Sequence, residues 1–151
     1  MRALIQRVRQ SSVVIDGRPH STIGKGLLVF LGVGQADREP EAVYVAEKCA
    51  ALRIFDDAEG KMNLSVRDVN GEVMVVSQFT LYGDTRRGNR PSYSDAAGLE
   101  LAEHLYKRYI IEMKRLVGAP RVQSGVFRVT MDIELINDGP VTVMVESKDA
   151  Q

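Results

Sequence analysis

Two short stretches of this chain carry polar groups where an ordinary strand or turn does not need them. The first is Ser77-Gln78-Phe79-Thr80, where the apolar run Val73-Met74-Val75-Val76 ends abruptly in two hydroxyls and an amide. Polar groups at the end of a buried strand need hydrogen-bond partners, and a ligand or water can supply them. The plain alternative is a strand end whose Ser and Thr bond to nearby backbone. The second stretch is Gly139-Pro140. Proline removes a main-chain donor and glycine admits unusual dihedrals, so the pair can hold carbonyls in a fixed direction, or simply turn the chain.

The familiar catalytic toolkits are missing. Gly32-Val33-Gly34 lacks the third glycine of a dinucleotide fingerprint, and Gly24-Lys25-Gly26 lacks the spacing of a P-loop. His20 falls in an expected hairpin strand and His104 in the middle of an expected helix, where each reads most simply as a structural residue. No nucleophile elbow is present, although a triad assembled in space leaves no local trace. Asp56-Asp57 reads as solvated turn punctuation. One Cys and two distant His cannot furnish a zinc cluster, and no metal or organic cofactor is expected.

These residues must be held by a domain of ordinary composition. The chain has 151 residues, 44% hydrophobic and 26% charged, with 20 Lys+Arg against 20 Asp+Glu. A single domain over residues 1–151 is expected, burying roughly 70% of its unfolded surface. Zero formal charge excludes holding nucleic acid by bulk electrostatics but leaves room for a local patch, such as Arg86, Arg87 and Arg90. It also removes charge repulsion between copies, so a homo-oligomer is expected. Cys49 has no partner for an internal disulfide, and no apolar run approaches the ~20 residues of a membrane span. Residues Met1 to Arg7 run into alternating sequence rather than a signal-peptide core. The expectation is a cytoplasmic protein with no membrane partner.

The pattern then gives the elements. Leu4 to Gln10 alternates, and Val13-Val14-Ile15 leads to the hairpin dipeptide Asp16-Gly17, with a second strand from Arg18 toward Ile23. Leu27 to Val33 is apolar enough for a strand buried on both faces. Ala42, Val45, Ala46, Cys49 and Leu52 recur at helical spacing, predicting a helix over 39–52 with Pro40 in its first turn. Cys49 lies on the apolar stripe, as a core thiol rather than a nucleophile. Short strands are expected at Arg53-Ile54-Phe55 and Val73 to Thr80, and a loop from Gly83 to Ser94. A long helix capped by Ser94 or Asp95 and stopped by Gly118 and Pro120 follows. Val126 to Ile133 and Val141 to Val145 read as a final hairpin across the turn Asn137-Asp138-Gly139-Pro140. The fold class is therefore α/β with mixed α+β character. It comprises mainly antiparallel β-sheets in a barrel-like arrangement with two helices on one side, not a doubly wound sheet.

Taken together, Ser77-Gln78-Phe79-Thr80-Leu81-Tyr82-Gly83-Asp84, the following Arg86-Arg87-Gly88-Asn89-Arg90-Pro91-Ser92, and Asn137-Asp138-Gly139-Pro140-Val141-Thr142 resemble the signature motifs of the D-aminoacyl-tRNA deacylases. The stretches Gln6-Arg7-Val8, Ile15-Asp16-Gly17 and Ile23 to Val29 are similar too, so the resemblance runs the length of the chain. It implies an editing hydrolase that cleaves the ester between a D-amino acid and the terminal ribose of tRNA, and removes glycine mischarged on tRNA(Ala). It further implies a homodimer with active sites at the subunit interface, binding the 3′ end of aminoacyl-tRNA and no DNA. Ser77, Gln78, Phe79 and Thr80 take the catalytic pocket. Gly139 and Pro140, joined by a cis peptide, reach into the partner's pocket and reject L-amino acids.

An aminoacyl ester is already activated, which fits the missing toolkit: orientation, a water and donors aimed at the oxyanion suffice. The substrate's own 2′-hydroxyl can assist. Thr80 is the alternative nucleophile, but no base stands beside it in sequence. Two other classes stay open: a non-catalytic RNA- or ligand-binding homodimer, and a Thr80-dependent general esterase. One departure stands out. Family members usually carry Gly-Ala after the Phe of the penultimate strand, where this chain has Arg128-Val129 after Phe127.

Overall fold

Asp16 and Gly17 both have positive φ, 51° and 76°, the geometry that a tight hairpin requires and this dipeptide favours. In the computed structural model, which describes residues 1–148, they join β1 (Arg2–Ile15) to β2 (Arg18–Ile23). The chain continues through β3 (Gly26–Gly32), α1 (Glu39–Ala51), β4 (Phe55–Asp56), β5 (Met62–Leu64), β6 (Glu72–Ser77), α2 (Leu99–Val117), β7 (Val122–Ser124) and β8 (Asp132–Glu146). Pro40 opens α1, and the Arg38 N–H donates to the Glu41 carboxylate at 2.7 Å, satisfying one free end of that helix. Gly118, at φ 111°, closes α2.

β1 is the spine of the sheet. One edge pairs antiparallel with β3 through its first half and with β2 through its second, while β8 runs antiparallel along the other edge. β3 then pairs parallel with β6, and β6 parallel with β7. Gly26 makes the β3–β6 pairing possible, because a Cβ there would lie 1.8 Å from the main-chain oxygen of Glu72. The sheet curls toward closure, with Ser21 of β2 donating to the Ser124 carbonyl of β7 at 3.0 Å. The result is a mixed α/β, nearly closed barrel-like sheet with two helices.

Both faces of the sheet are covered. Ala3, Ile5, Leu27, Val29, Leu31 and Val75 pack against Val45, Ala46 and Cys49 of α1 and Leu105, Tyr109 and Met113 of α2. Val8, Val13, Ile23, Leu28, Met74 and Val76 form a second cluster on the opposite face. Burial on this scale contributes roughly 1.5–3 kcal/mol per large apolar side chain. No helix among the described residues is long and apolar enough to cross a membrane.

The sequence expectations need correction where distant pairings overrule local pattern. The strand expected at Arg53 to Phe55 is β4 at Phe55–Asp56, and β5 and β7 were not foreseen. β6 ends at Ser77 rather than Thr80, because Phe79–Tyr82 forms a turn of 3₁₀ helix. α2 starts at Leu99 with Gly98 as its cap, not at Ser94 or Asp95. Ala96 is committed elsewhere, bridging to Gly34, and the Ala97 N–H donates to the Val33 carbonyl. Residues 126–131 turn instead of extending.

The expected terminal hairpin is a single long strand, β8, with a bulge. Thr142 pairs with Gln6 and Asn137 with Val8, so Asp138 to Val141 stand opposite Arg7 alone. The bulge changes which way the side chains face. Ile133 and Leu135 pack on one core cluster and Val141 and Val145 on the other, although strict alternation would align all four.

Candidate active site

The polar end of β6 opens into a cavity of about 710 Å³. Parallel pairing with β3 carries Val73 to Ser77 through the core, and the Gln78 N–H makes a last bond to the Leu31 carbonyl at 2.8 Å. The chain then curls. The Leu81 and Gly83 N–H groups bond back to the Gln78 and Thr80 carbonyls, which lifts Phe79 to the surface, 55% exposed. Its ring meets Tyr93 edge-on at 5.0 Å, tying the Gly83 to Ser94 loop to the site.

Ser77, Gln78 and Phe79 line the cavity together with Tyr93, Ala96, Leu99 and Ala102 on one side and residues 126–131 and Ile133 on the other. No Asp, Glu or His is among the lining residues. The walls are mostly apolar, and the small side chains of Ala96 and Ala102 leave the space open. A few hydroxyls, amides and main-chain groups can orient a ligand here, but no side chain in the lining can act as a strong base near neutral pH.

Thr80 does not line this cavity. It is exposed, and its Oγ1 accepts a hydrogen bond from the Gln78 amide nitrogen. An amide donor cannot take the hydroxyl proton, so nothing in this contact activates Thr80 as a nucleophile.

Gly139 and Pro140 also lie away from their own chain's cavity, exposed at the crest of the β8 bulge. The peptide between them is cis, and Gly139 has φ 124°. The base of the bulge is clamped from inside. Arg7 is 7% exposed; its Nε donates to the Asp138 carbonyl at 3.2 Å and its Nη1 to the Ile54 carbonyl at 2.7 Å. The Asn137 amide donates to both the Arg7 and Val141 carbonyls at 3.0 Å.

The basic residues divide by partner. Arg86 pairs with Asp84 through both nitrogens of its fork, holding that carboxyl down at about 2. Lys107 pairs with Glu103, and Arg108 and Arg115 share the buried Glu112. The helix charges are thus largely neutralised on their own helix. Cys49 is buried, and desolvation pushes its thiol up to about 12, as suits a core residue.

Of the residues expected from sequence, Ser77, Gln78 and Phe79 line the cavity and Thr80 does not; Tyr93, Leu99 and Val126, which reach it through tertiary packing, were not singled out. A tyrosine inside a polar, arginine-rich loop was the one available signal.

The model of the family described as D-Tyr-tRNA(Tyr) deacylase matches residues 4–146. A D-aminoacyl-tRNA deacylase of Fervidobacterium nodosum is 53% identical over 148 residues, covering 98% of both chains. One from Roseiflexus castenholzii is 54% identical over 147 residues, covering 97% of this chain and 92% of the other. A solved c-Myc DNA unwinding element binding protein superposes with a TM-score of 0.94 at 35% identity, over 99% of this chain and 100% of that one. A probable eukaryotic D-amino acid tRNA deacylase superposes at 0.83 and 16% identity over 96% and 98%, a likeness of fold. A family match over residues 4–146, with identity above 50% to relatives over nearly the full length, places the chain in the D-Tyr-tRNA(Tyr) deacylase family.

Proposed function

We propose that this chain is a D-aminoacyl-tRNA deacylase, a hydrolase that cleaves the ester between a D-amino acid and the terminal ribose of tRNA. The observation that carries this reading is the cavity at the end of β6, lined by Ser77 and Gln78 without any acid or imidazole, in a chain of this family. Such a pocket suits an ester that needs orientation rather than a strong protein base. Gln78 and main-chain N–H groups stabilise the developing oxyanion, and the neighbouring 2′-hydroxyl of the RNA assists the attacking water. The contact between Gln78 and Thr80 supports this over a Thr80 acyl-enzyme.

Selection against L-amino acids is assigned to the Gly139–Pro140 corner. Enantiomers exchange H and side chain at one carbon, so a fixed wall of carbonyls can admit one and clash with the other. The clamp by Arg7 and Asn137 supplies the fixity. Glycine has no side chain to clash, so glycyl-tRNA(Ala) is hydrolysed as well.

The exposed crest does not line the cavity at the end of β6 in its own chain, which supports a homodimer in which each copy completes the other's pocket. Among the described residues β8 pairs only with β1, and it carries exposed Ile136 and Met144, a surface suited to a second copy. The place of action is the cytoplasm.

The test is release of amino acid from D-tyrosyl-tRNA and L-tyrosyl-tRNA by purified protein. Rapid release of the D form alone supports the proposal; tight RNA binding without release sinks it. That second result favours a nucleic-acid-binding role, for which the 35% identical relative named for binding DNA gives a precedent.

A further inference from the structure

We propose that Arg128 binds the phosphodiester that joins the substrate's terminal nucleotide to the rest of the RNA; this rests on the deacylase reading above. Arg128 is the single charged residue in the cavity lining. It is exposed and makes no ion pair or hydrogen bond among the described residues. Its φ is 67°, a left-handed conformation that glycine adopts freely and an arginine does not.

The root of the side chain is nevertheless held in place. Phe127 stacks on Tyr106 with ring centroids 5.8 Å apart, the Gly125 N–H donates to the Val75 carbonyl at 3.0 Å, and the Val126 N–H to the Met131 sulfur at 3.4 Å. The turn therefore presents a free guanidinium at the cavity from a rigid base. Nothing among the described residues uses that charge.

The chemistry of an aminoacyl-tRNA end decides which part of it meets this cation. The α-ammonium is repelled by a guanidinium, so the amino acid lies toward Ser77 and Gln78. The nearest anion on the other side of the ester is the phosphodiester of the terminal nucleotide, which a guanidinium recognises with two parallel hydrogen bonds. Arg86 cannot serve in its place because Asp84 already occupies its fork.

Arg128→Gly is the decisive variant because glycine suits the backbone at that position. KM is compared on D-tyrosyl-tRNA and on the D-tyrosyl ester of adenosine, which has the ribose and base but no phosphate. The expected result is a KM for the tRNA raised about tenfold, against at most about twofold for the nucleoside ester, with partial recovery in Arg128→Lys. The slope of log affinity for the tRNA against log salt should flatten by about 0.7–0.9. The thermal midpoint should hold or rise. An unchanged KM and salt slope on tRNA overturns the proposal. So does an equal loss on both substrates, which would put Arg128 against the base or the amino acid. Failure of the deacylase reading itself looks different: the wild-type protein would then hydrolyse neither compound.

Discussion

Arg7 and Asp138 are joined twice, the Arg7 Nε lying 3.2 Å from the Asp138 carbonyl and 3.4 Å from its carboxylate, so a buried cation on β1 holds the last residue before the Gly139–Pro140 crest. The same guanidinium reaches the Ile54 carbonyl with its Nη1. Two carbonyls from distant segments thus share one planar fork.

Lysine cannot span both. Arg7→Lys should destabilise the protein by about 1–3 kcal/mol, since one buried carbonyl loses its donor. If the clamp also aims the crest, the ratio of D- to L-tyrosyl-tRNA hydrolysis should fall more than about tenfold. Denaturant unfolding and the two kinetic assays check this. A purely structural Arg7 would lower stability and leave the ratio alone.

A composite site makes a prediction about mixtures. A Cβ on Gly139 would lie 2.9 Å from the Arg7 Nη2 and 2.9 Å from a methyl of Val141, so Gly139→Ala should displace the crest. Gln78→Ala should damage the pocket. Each variant alone is expected to lose roughly 100-fold in kcat/KM. Unfolding and re-forming the two together should restore about a quarter of wild-type activity, because half the dimers are mixed and each mixed dimer has one intact site. Additive residual activity with no recovery would mean that each chain builds its own site.

The Tyr109 hydroxyl is fully buried and meets no well-formed hydrogen-bond partner among the described residues, facing only the weakly bonding Cys49 thiol; burial, with Cys49 beside it, raises its pKa well above the usual phenol value. Removing an unsatisfied hydroxyl removes its desolvation cost. Tyr109→Phe should therefore be neutral or stabilise by about 1 kcal/mol in denaturant unfolding. A loss larger than about 1 kcal/mol would show that the hydroxyl is satisfied, by the Cys49 thiol or a trapped water.

Glu112 is 4% exposed, and its carboxyl is held below its ordinary value of 4.5, chiefly by hydrogen bonds from Arg115 and then from Arg108. A depressed carboxylate binds its proton more readily in the unfolded chain. Its contribution is thus fully present above about 4.5 and is lost as pH falls through the lower folded value. The thermal midpoint of Glu112→Gln should lie below wild type at pH 7, and the gap should close as the pH is lowered below 4. A gap that is constant with pH would point to packing instead.

Much of the scaffold was legible because its signals are local. Asp16-Gly17, the apolar run of β3, the stripe of α1 and the stop at Gly118 each owe their structure to neighbours within a few residues. The β8 bulge does not. Asn137-Asp138-Gly139-Pro140 has the chemistry of a reverse turn, yet pairing with β1 on both sides and bonds to Arg7, some 130 positions away, carry the strand onward. The start of α2 was hidden in the same way by the bridge from Ala96 to Gly34. Val126 to Met131 alternates like a strand, yet Phe127 turns back onto Tyr106. In the site, Ser77 to Phe79 announced themselves as polar groups ending an apolar run, while the wall facing them is assembled by long-range packing.

The pairing of Arg2 with Glu146 means that the first strand and the last close the same seam. During synthesis β1 emerges early, but its β8 edge stays open until residues 132–146 have left the ribosome. Contacts of such long sequence separation slow folding, so this seam should form late, after the local hairpin of β1 and β2. A copy halted before β8 would lack the crest to which we assign the rejection of L-amino acids.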